Sequence, residues 1–284
     1  MSQFQLVLAG VVGLPCLVAM AVVTAPVVAI LSIAPLWLLL FRSKSGQSKA
    51  TAAASAIPNQ VIITGGSSGI GFCIAKECVR RGVPKITLLA RNMDRLKEAQ
   101  EELQALASTI KNNNNNNKNI ESQIEIVSVS VSDYGALSQA AQDMKIPPTD
   151  RVVLWNCAGF AYPAEFDKVP LAKFEQLVMT NQLGTMYLVR AFLPHLQDGL
   201  IVLTSSAAGQ LGVYGYTAYA PTKYAIRGFA ETLHAELLRT HPHLRLQLAF
   251  PIDTDTPGYQ EELKTMPAIT RKLSETAGVA TPDQ

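Results

Sequence analysis

The feature that most narrows the fold is a turn. Gln60 to Thr64 (QVIIT) is a short apolar, β-branched run that leads directly into Gly65-Gly66-Ser67-Ser68-Gly69-Ile70-Gly71 and then into a helical pattern from Phe72 to Arg81. The run predicts a buried parallel strand. Glycines let a backbone turn tightly and let a pyrophosphate approach the main chain. The helix after them offers free N–H groups and the positive end of its dipole. Strand, glycine loop and helix in this order predict a nucleotide-binding turn, with Gly65, Ser67, Ser68, Gly69, Ile70 and Gly71 as its contacts.

Lys85 to Leu89 (KITLL) is the expected second strand. A fold that binds NAD places an acid near this point to accept the ribose 2′-OH. Here the strand runs into Ala90-Arg91-Asn92, and the forked guanidinium of Arg91 suits a 2′-phosphate instead. NADP(H) is therefore the expected cofactor. Asp94 to Ile110 predicts an amphipathic helix, Glu125 to Val131 a third strand and Arg151 to Asn156 (RVVLWN) a fourth. Strands alternating with helices predict an α/β fold with a doubly wound, Rossmann-like parallel sheet. Residues 112–119 contain six consecutive asparagines, Asn112 to Asn117, and predict a disordered insertion.

The chain has 284 residues, enough for one large α/β domain with an appendage. The appendage is at the start, where Phe4 to Phe41 carry no charged residue. At ~1.5 Å per residue a helix of that length exceeds the ~30 Å hydrocarbon core, and Pro15, Pro26 and Pro35 offer breaks. Either one tilted span or a hairpin turning near Pro26 fits. A cleaved signal peptide does not, because Met1 to Gln5 lack Lys and Arg and the apolar run is too long. Positive charge arrives at Arg42, Lys44 and Lys49, which predicts a cytosolic location for the remainder of the chain. The division expected is a membrane anchor over 1–41, a linker over 42–58 and a catalytic domain over 59–284.

A net charge of +2 gives no footprint for nucleic acid. Cys16, Cys73, Cys78 and Cys157 form no CxxC pair and read as free thiols. His195, His234, His241 and His243 have no metal-ligand spacing, and no metal is expected.

The chemistry is concentrated downstream. Leu200 to Ser206 is an expected strand ending in Thr204-Ser205-Ser206. Tyr219 heads a helix running to about Arg239, and Asn181 sits within a long helical pattern from Leu171 to Leu196. Tyr219 and Lys223 are four residues apart and share a helix face. An ordinary phenol, with a pKa of about 10, is a poor acid–base catalyst at neutral pH. An adjacent ammonium favours the phenolate and lowers that value. A serine at a strand end can hydrogen-bond a substrate oxygen, which completes a general-acid site.

Thr64 to Gly71 (TGGSSGIG), Asn156-Cys157-Ala158-Gly159, Asn181, Ser206 and Tyr219-x-x-x-Lys223 occur in one order. Together they resemble the short-chain dehydrogenase/reductase family over about Val61 to Pro257. The resemblance implies that Tyr219 protonates a nascent alkoxide. It implies that Lys223 lowers the Tyr219 pKa and binds the nicotinamide ribose, and that Asn181 holds a water for proton relay. Ser206 would polarise the carbonyl, or Ser205 if the register slips by one. Asn156, Ala158, Gly159, Pro251, Thr254 and Thr256 join Tyr219 and Lys223 as cofactor contacts.

Within the family, Ser205 to Gly212, Ala225 to Gly228, Asp253 to Gly258 and Leu273 to Thr276 resemble the branch that reduces the C3 ketone of long-chain sphingoid bases with NADPH on the cytosolic face of the endoplasmic reticulum. A membrane anchor suits such a lipid substrate, with Tyr259 and Met266 either lining its site or packing the core. Two other readings are kept. One is a membrane-bound reductase of the same family acting on steroids, retinoids or fatty acyl chains. The other is a non-catalytic NADPH-binding membrane protein, which the presence of both Tyr219 and Lys223 disfavours. A homo-oligomer is left open. Two positions depart from the family pattern: Ile252 replaces the glycine after Pro251, and Ser130 stands where an adenine-seating Asp is usual. Thr281 to Gln284 read like a helix N-terminus, and the resemblance implies a further helix and a seventh strand.

Overall fold

The structure, a computed structural model, describes residues 57–113 and 122–282. The expected anchor over 1–41 lies outside them, as does nearly all of the linker. Among the described residues no helix is long and apolar enough to cross a membrane.

Six parallel strands form one sheet: β1 (Gln60–Thr64), β2 (Lys85–Ala90), β3 (Gln123–Ser128), β4 (Arg151–Asn156), β5 (Asp198–Thr204) and β6 (Leu244–Ala249). Their order is β3-β2-β1-β4-β5-β6, so the chain leaves β1 in one direction and returns to its other side with β4. That reversal opens a crevice at the carboxyl ends of β1 and β4, where such sheets bind ligands. Helices α1 (Gly69–Arg80) and α2 (Met93–Asn113) alternate with the first strands, α3 (Tyr134–Asp143) precedes β4, and α4 (Leu171–Leu177) and α5 (Gly184–Phe192) precede β5. After α6 (Ala220–Thr240) and β6 come the short α7 (Pro257–Leu263) and α8 (Ala268–Ala277).

Alternate residues of a strand face opposite sides of its sheet, and β1 shows why every one of its positions is buried. Ile62 packs with Leu154, Leu203, Leu188 and Ile226 in one core. Val61 and Ile63 pack with Ile86, Leu88, Val79 and Leu103 in the other.

Four expectations shift. The third strand runs over 123–128, because its pairing starts where Gln123 meets Lys85 and ends at Ser128 opposite Ala90. The fifth stops at Thr204, leaving Ser205 and Ser206 beyond it. Asn112 and Asn113, assigned to the insertion, instead finish α2, and the rest of the run lies outside the described residues. The long helix is interrupted: Val178–Leu183 between α4 and α5 is a π-helical turn with Asn181 inside it. Wide turns of this kind are frequent at functional sites.

Candidate active site

The glycine loop folds as its composition requires. Gly65 has φ +66°, and a Cβ there would lie 3.0 Å from the Ala158 main chain, so the loops after β1 and β4 touch. A Cβ on Gly71 would come within 2.5 Å of the Gly65 carbonyl oxygen; only glycine lets α1 start this close to the strand. Ser67, Ser68, Gly69 and Ile70 stay partly open to solvent. Ser68 is the N-cap of α1, makes no side-chain cap hydrogen bond, and no acid occupies the first turn. The first N–H groups of α1 are thus not capped by the Ser68 side chain, and these residues fit the diphosphate of a dinucleotide. Across the loop, Thr256 caps α7 by accepting from Tyr259 N at 3.1 Å, and its methyl would meet a Cβ on Gly69 at 3.4 Å. Arg91 is exposed just beyond β2, its carbonyl held by Ser128 Oγ at 3.0 Å. Pro251 accepts Ala207 N at 3.0 Å. Thr254 spends its hydroxyl on the Ile252 carbonyl at 2.9 Å, and Ser130 accepts from Ser132 N.

A thread of buried hydrogen bonds joins this loop to the downstream residues. Cys157 N and Ala158 N both donate to Thr64 Oγ1 at 3.2 Å, and Thr64 Oγ1 donates to Asn156 Oδ1 at 3.1 Å. Asn156 Nδ2 donates to Thr185 Oγ1 at 2.6 Å, which donates to the Asn181 carbonyl at 2.5 Å. Asn181 Nδ2 reaches the Phe160 carbonyl at 2.9 Å and Thr222 Oγ1 at 3.2 Å, while its Oδ1 accepts from Phe160 N. Thr222 Oγ1 donates to the Tyr219 carbonyl at 2.7 Å. Asn156, expected among the cofactor contacts, therefore turns both ends of its amide inward and is a positioning residue. Asn181 is likewise a rivet: its side chain is fully buried and committed to protein partners. Sequence reasoning missed Thr64, Thr185 and Thr222. Only the position of Thr64 just before the glycines carried any signal.

Ser206, Tyr219 and Lys223 come together at the end of this thread. Ser205 and Ser206 separate cleanly. Ser205 is buried and donates to the Lys223 carbonyl at 2.9 Å, whereas Ser206 hydrogen-bonds the Tyr219 side chain. The open alternative thus resolves to Ser206 as the serine beside the phenol. Lys223, 6% exposed, points its Nζ to the Thr204 carbonyl at 2.9 Å and stands 5.5 Å from the Tyr219 ring centre. A Cβ on exposed Gly159 would lie 3.0 Å from Asn181 Oδ1 and 3.7 Å from Lys223 Nζ, so the loop after β4 is flush with the site.

The electrostatics correct one expectation. Tyr219 titrates above, not below, an ordinary phenol. Burial is the main cause; the charges of Glu262 and Asp253 add to it, and the Ser206 hydrogen bond opposes it. Burial brings the Lys223 ammonium down to about 8. Tyr259 and Met266 are buried with Tyr216, Ala208 and Ala220 against Tyr219, in an apolar cluster under α7.

Residues 59–267 match the family model described as short chain dehydrogenase. The chain belongs to that family. Among curated members it is 40% identical over 230 residues to the 3-dehydrosphinganine reductase of Danio rerio and 41% identical to the 3-ketodihydrosphingosine reductase of Mus musculus. Each comparison covers 79% of this chain and 65% of the relative, so the chain spans under two thirds of their length. Among solved family members, a 3-oxoacyl-[acyl-carrier protein] reductase from Brucella melitensis with bound NAD superposes with a TM-score of 0.62 at 27% identity, over 79% of this chain and 80% of that one.

Proposed function

We propose that the chain is an NADP(H)-dependent reductase of a long-chain 3-keto sphingoid base, converting the C3 ketone to the alcohol in sphingolipid synthesis. The observation that carries this is the convergence of Ser206, Tyr219 and Lys223 beside an anion-ready glycine loop, in a chain about 40% identical to reductases of that name. When bound, the nicotinamide cofactor supplies the hydride. The diphosphate would lie on the loop from Gly65 to Gly71, Arg91 would meet the 2′-phosphate, and Thr256 would close over the loop.

The chain's own residues handle the oxygen and the proton. Ser206 donates a hydrogen bond to the substrate carbonyl, polarising it. Tyr219 stays protonated at neutral pH because burial holds its pKa up, and it gives its proton to the oxygen as the carbonyl becomes an alkoxide, a far stronger base. Lys223, near pH 8 in its titration, then has a proton to return toward the phenolate. The uncharged run from Phe4 to Phe41 would anchor the enzyme in the endoplasmic reticulum membrane, with the basic residues from Arg42 onward keeping the catalytic domain in the cytosol.

The test is NADPH oxidation by the detergent-solubilised full chain, with 3-ketodihydrosphingosine and a steroid ketone as alternative substrates. Turnover of the sphingoid ketone is expected, and Tyr219→Phe should lower kcat by ~10²- to 10⁴-fold while NADPH binding, read by fluorescence, persists. Turnover of the steroid alone would keep the mechanism and overturn the substrate.

A further inference from the structure

One carboxylate at the site has no part in the chemistry of Ser206, Tyr219 and Lys223. Glu262 lies in α7, where Tyr216 donates its phenolic hydrogen to Glu262 Oε2 at 3.2 Å. The Tyr216 ring stands 5.5 Å, centre to centre, from that of Tyr219. The acid is therefore one aromatic ring from the proton donor, and its charge acts on both Tyr219 and Lys223. It is partly buried, beside Leu263 and Met266 of the apolar cluster. Its neighbour Glu261 is exposed and paired with Lys264. Glu262, among the described residues, forms no ion pair. Burial raises its titration to about 7, reinforced by Asp253 and opposed by the Tyr216 hydrogen bond and by Lys223. A carboxylate withdrawn from water with one phenol as partner is a costly arrangement unless a cation completes it.

We propose that Glu262 is a specificity-determining residue that binds the ammonium carried on the carbon next to the ketone in a sphingoid base. This rests on the reading of the substrate as a sphingoid ketone and deepens it. On this proposal a carbonyl seated at Ser206 and Tyr219 turns the carbon that carries the amine toward α7, where the Tyr216 ring links Tyr219 to Glu262. Electron withdrawal by the ketone makes such an amine easier to deprotonate than an ordinary alkyl amine, and a carboxylate counters this by favouring the charged form. The charged form in turn withdraws electrons from the carbonyl and makes it more open to hydride. A neutral ketone offers the acid nothing and leaves it desolvated, which discriminates against steroids and retinoids.

The experiment compares 3-ketodihydrosphingosine with its deamino analogue, which has hydrogen in place of the amine, using the solubilised full chain, NADPH, wild type and Glu262→Gln. Wild type is expected to favour the amine-bearing ketone by ~10- to 100-fold in kcat/KM, the range for a hydrogen bond to a charged group. Glu262→Gln should bring that ketone down toward the level of the analogue. Equal losses on both ketones would make Glu262 merely structural, and no loss on either would remove it from the site; each overturns the proposal while leaving the substrate reading intact. If Glu262→Gln does not fold, the absence of any wild-type preference for the amine overturns it alone. Wild type that reduces a steroid ketone and neither sphingoid compound would overturn both readings.

Discussion

The glycine loop after β1 and the segment after β6 approach each other at Gly69 and Thr256, yet they are built by opposite means. The loop depends on glycines at its tight points: its geometry is set by main-chain contacts such as that between Gly71 and the Gly65 carbonyl. The segment after β6 works through side chains: the Thr256 cap, the Tyr216–Glu262 hydrogen bond, and Tyr259 joined to Ser274 at 2.8 Å. A surface made of backbone suits a ligand part that is always the same, such as a diphosphate. One made of side chains can be retuned for one substrate without disturbing the other. Between them runs the buried thread from Thr64 to Tyr219, which ties the two to a common frame.

The largest way to break this contrast is to cut the thread. Asn181→Ala leaves the Phe160 N–H and carbonyl without partners, at ~1–3 kcal/mol for each stranded group. Urea denaturation should show a loss of ~2–6 kcal/mol, and activity should fall on every substrate alike. On the loop side, Gly71→Ala adds one methyl group where there is no room. A loss of ~1–3 kcal/mol is expected, with weakened NADPH binding by fluorescence titration. A variant that binds NADPH normally would refute the account of the loop. Arg91→Ala tests a side chain at the edge of the backbone-built half: kcat/KM with NADPH should fall ~10-fold or more while that with NADH holds. Equal falls would remove Arg91 from the 2′-phosphate.

The last test sharpens the other side. Glu262 is raised from 4.5 to about 7 on folding, so between these values the folded protein binds more protons than the unfolded chain and stability declines as pH rises. Glu262→Gln should be the more stable protein at pH 8, and the gap should close below pH ~4.5, read by melting temperature across pH. A Gln variant that is less stable at pH 8 would show that the carboxylate supports the fold rather than straining it.

These differences also mark what the sequence makes legible. β1 and β2 are readable because their apolar runs are buried on both faces, and β4 because its run is buried on one face and half-buried on the other. The loop is readable because glycine has few other reasons to cluster between a strand and a helix. The threonines of the thread are not: Thr64, Thr185 and Thr222 look like ordinary strand and helix residues, and their partners lie 29 to 92 positions away in the first two links and 41 in the third. The expected lowering of the Tyr219 pKa rests on its spacing to Lys223, but spacing carries no information on burial, which dominates. Glu262 comes directly after Glu261 and reads as half of a solvated pair until the fold turns it inward. Ser205 and Ser206 become distinguishable only because β5 ends at Thr204.

The π-turn at Val178–Leu183 has a mechanical meaning. An α-helix advances about 100° of rotation per residue, so any change in its winding resets the angular phase of every residue beyond it. Leu177, just before the turn, is fully buried in the small cluster with Ala164, Val169 and Ala218; Leu188, beyond it, is fully buried in the main core with Phe192. Uniform α winding would rotate one of these faces out of its seat. The turn acts as a fixed gear between two packing surfaces. Deleting a single residue there would let regular winding keep both leucines seated, and the cost would fall on the wide turn that holds Asn181.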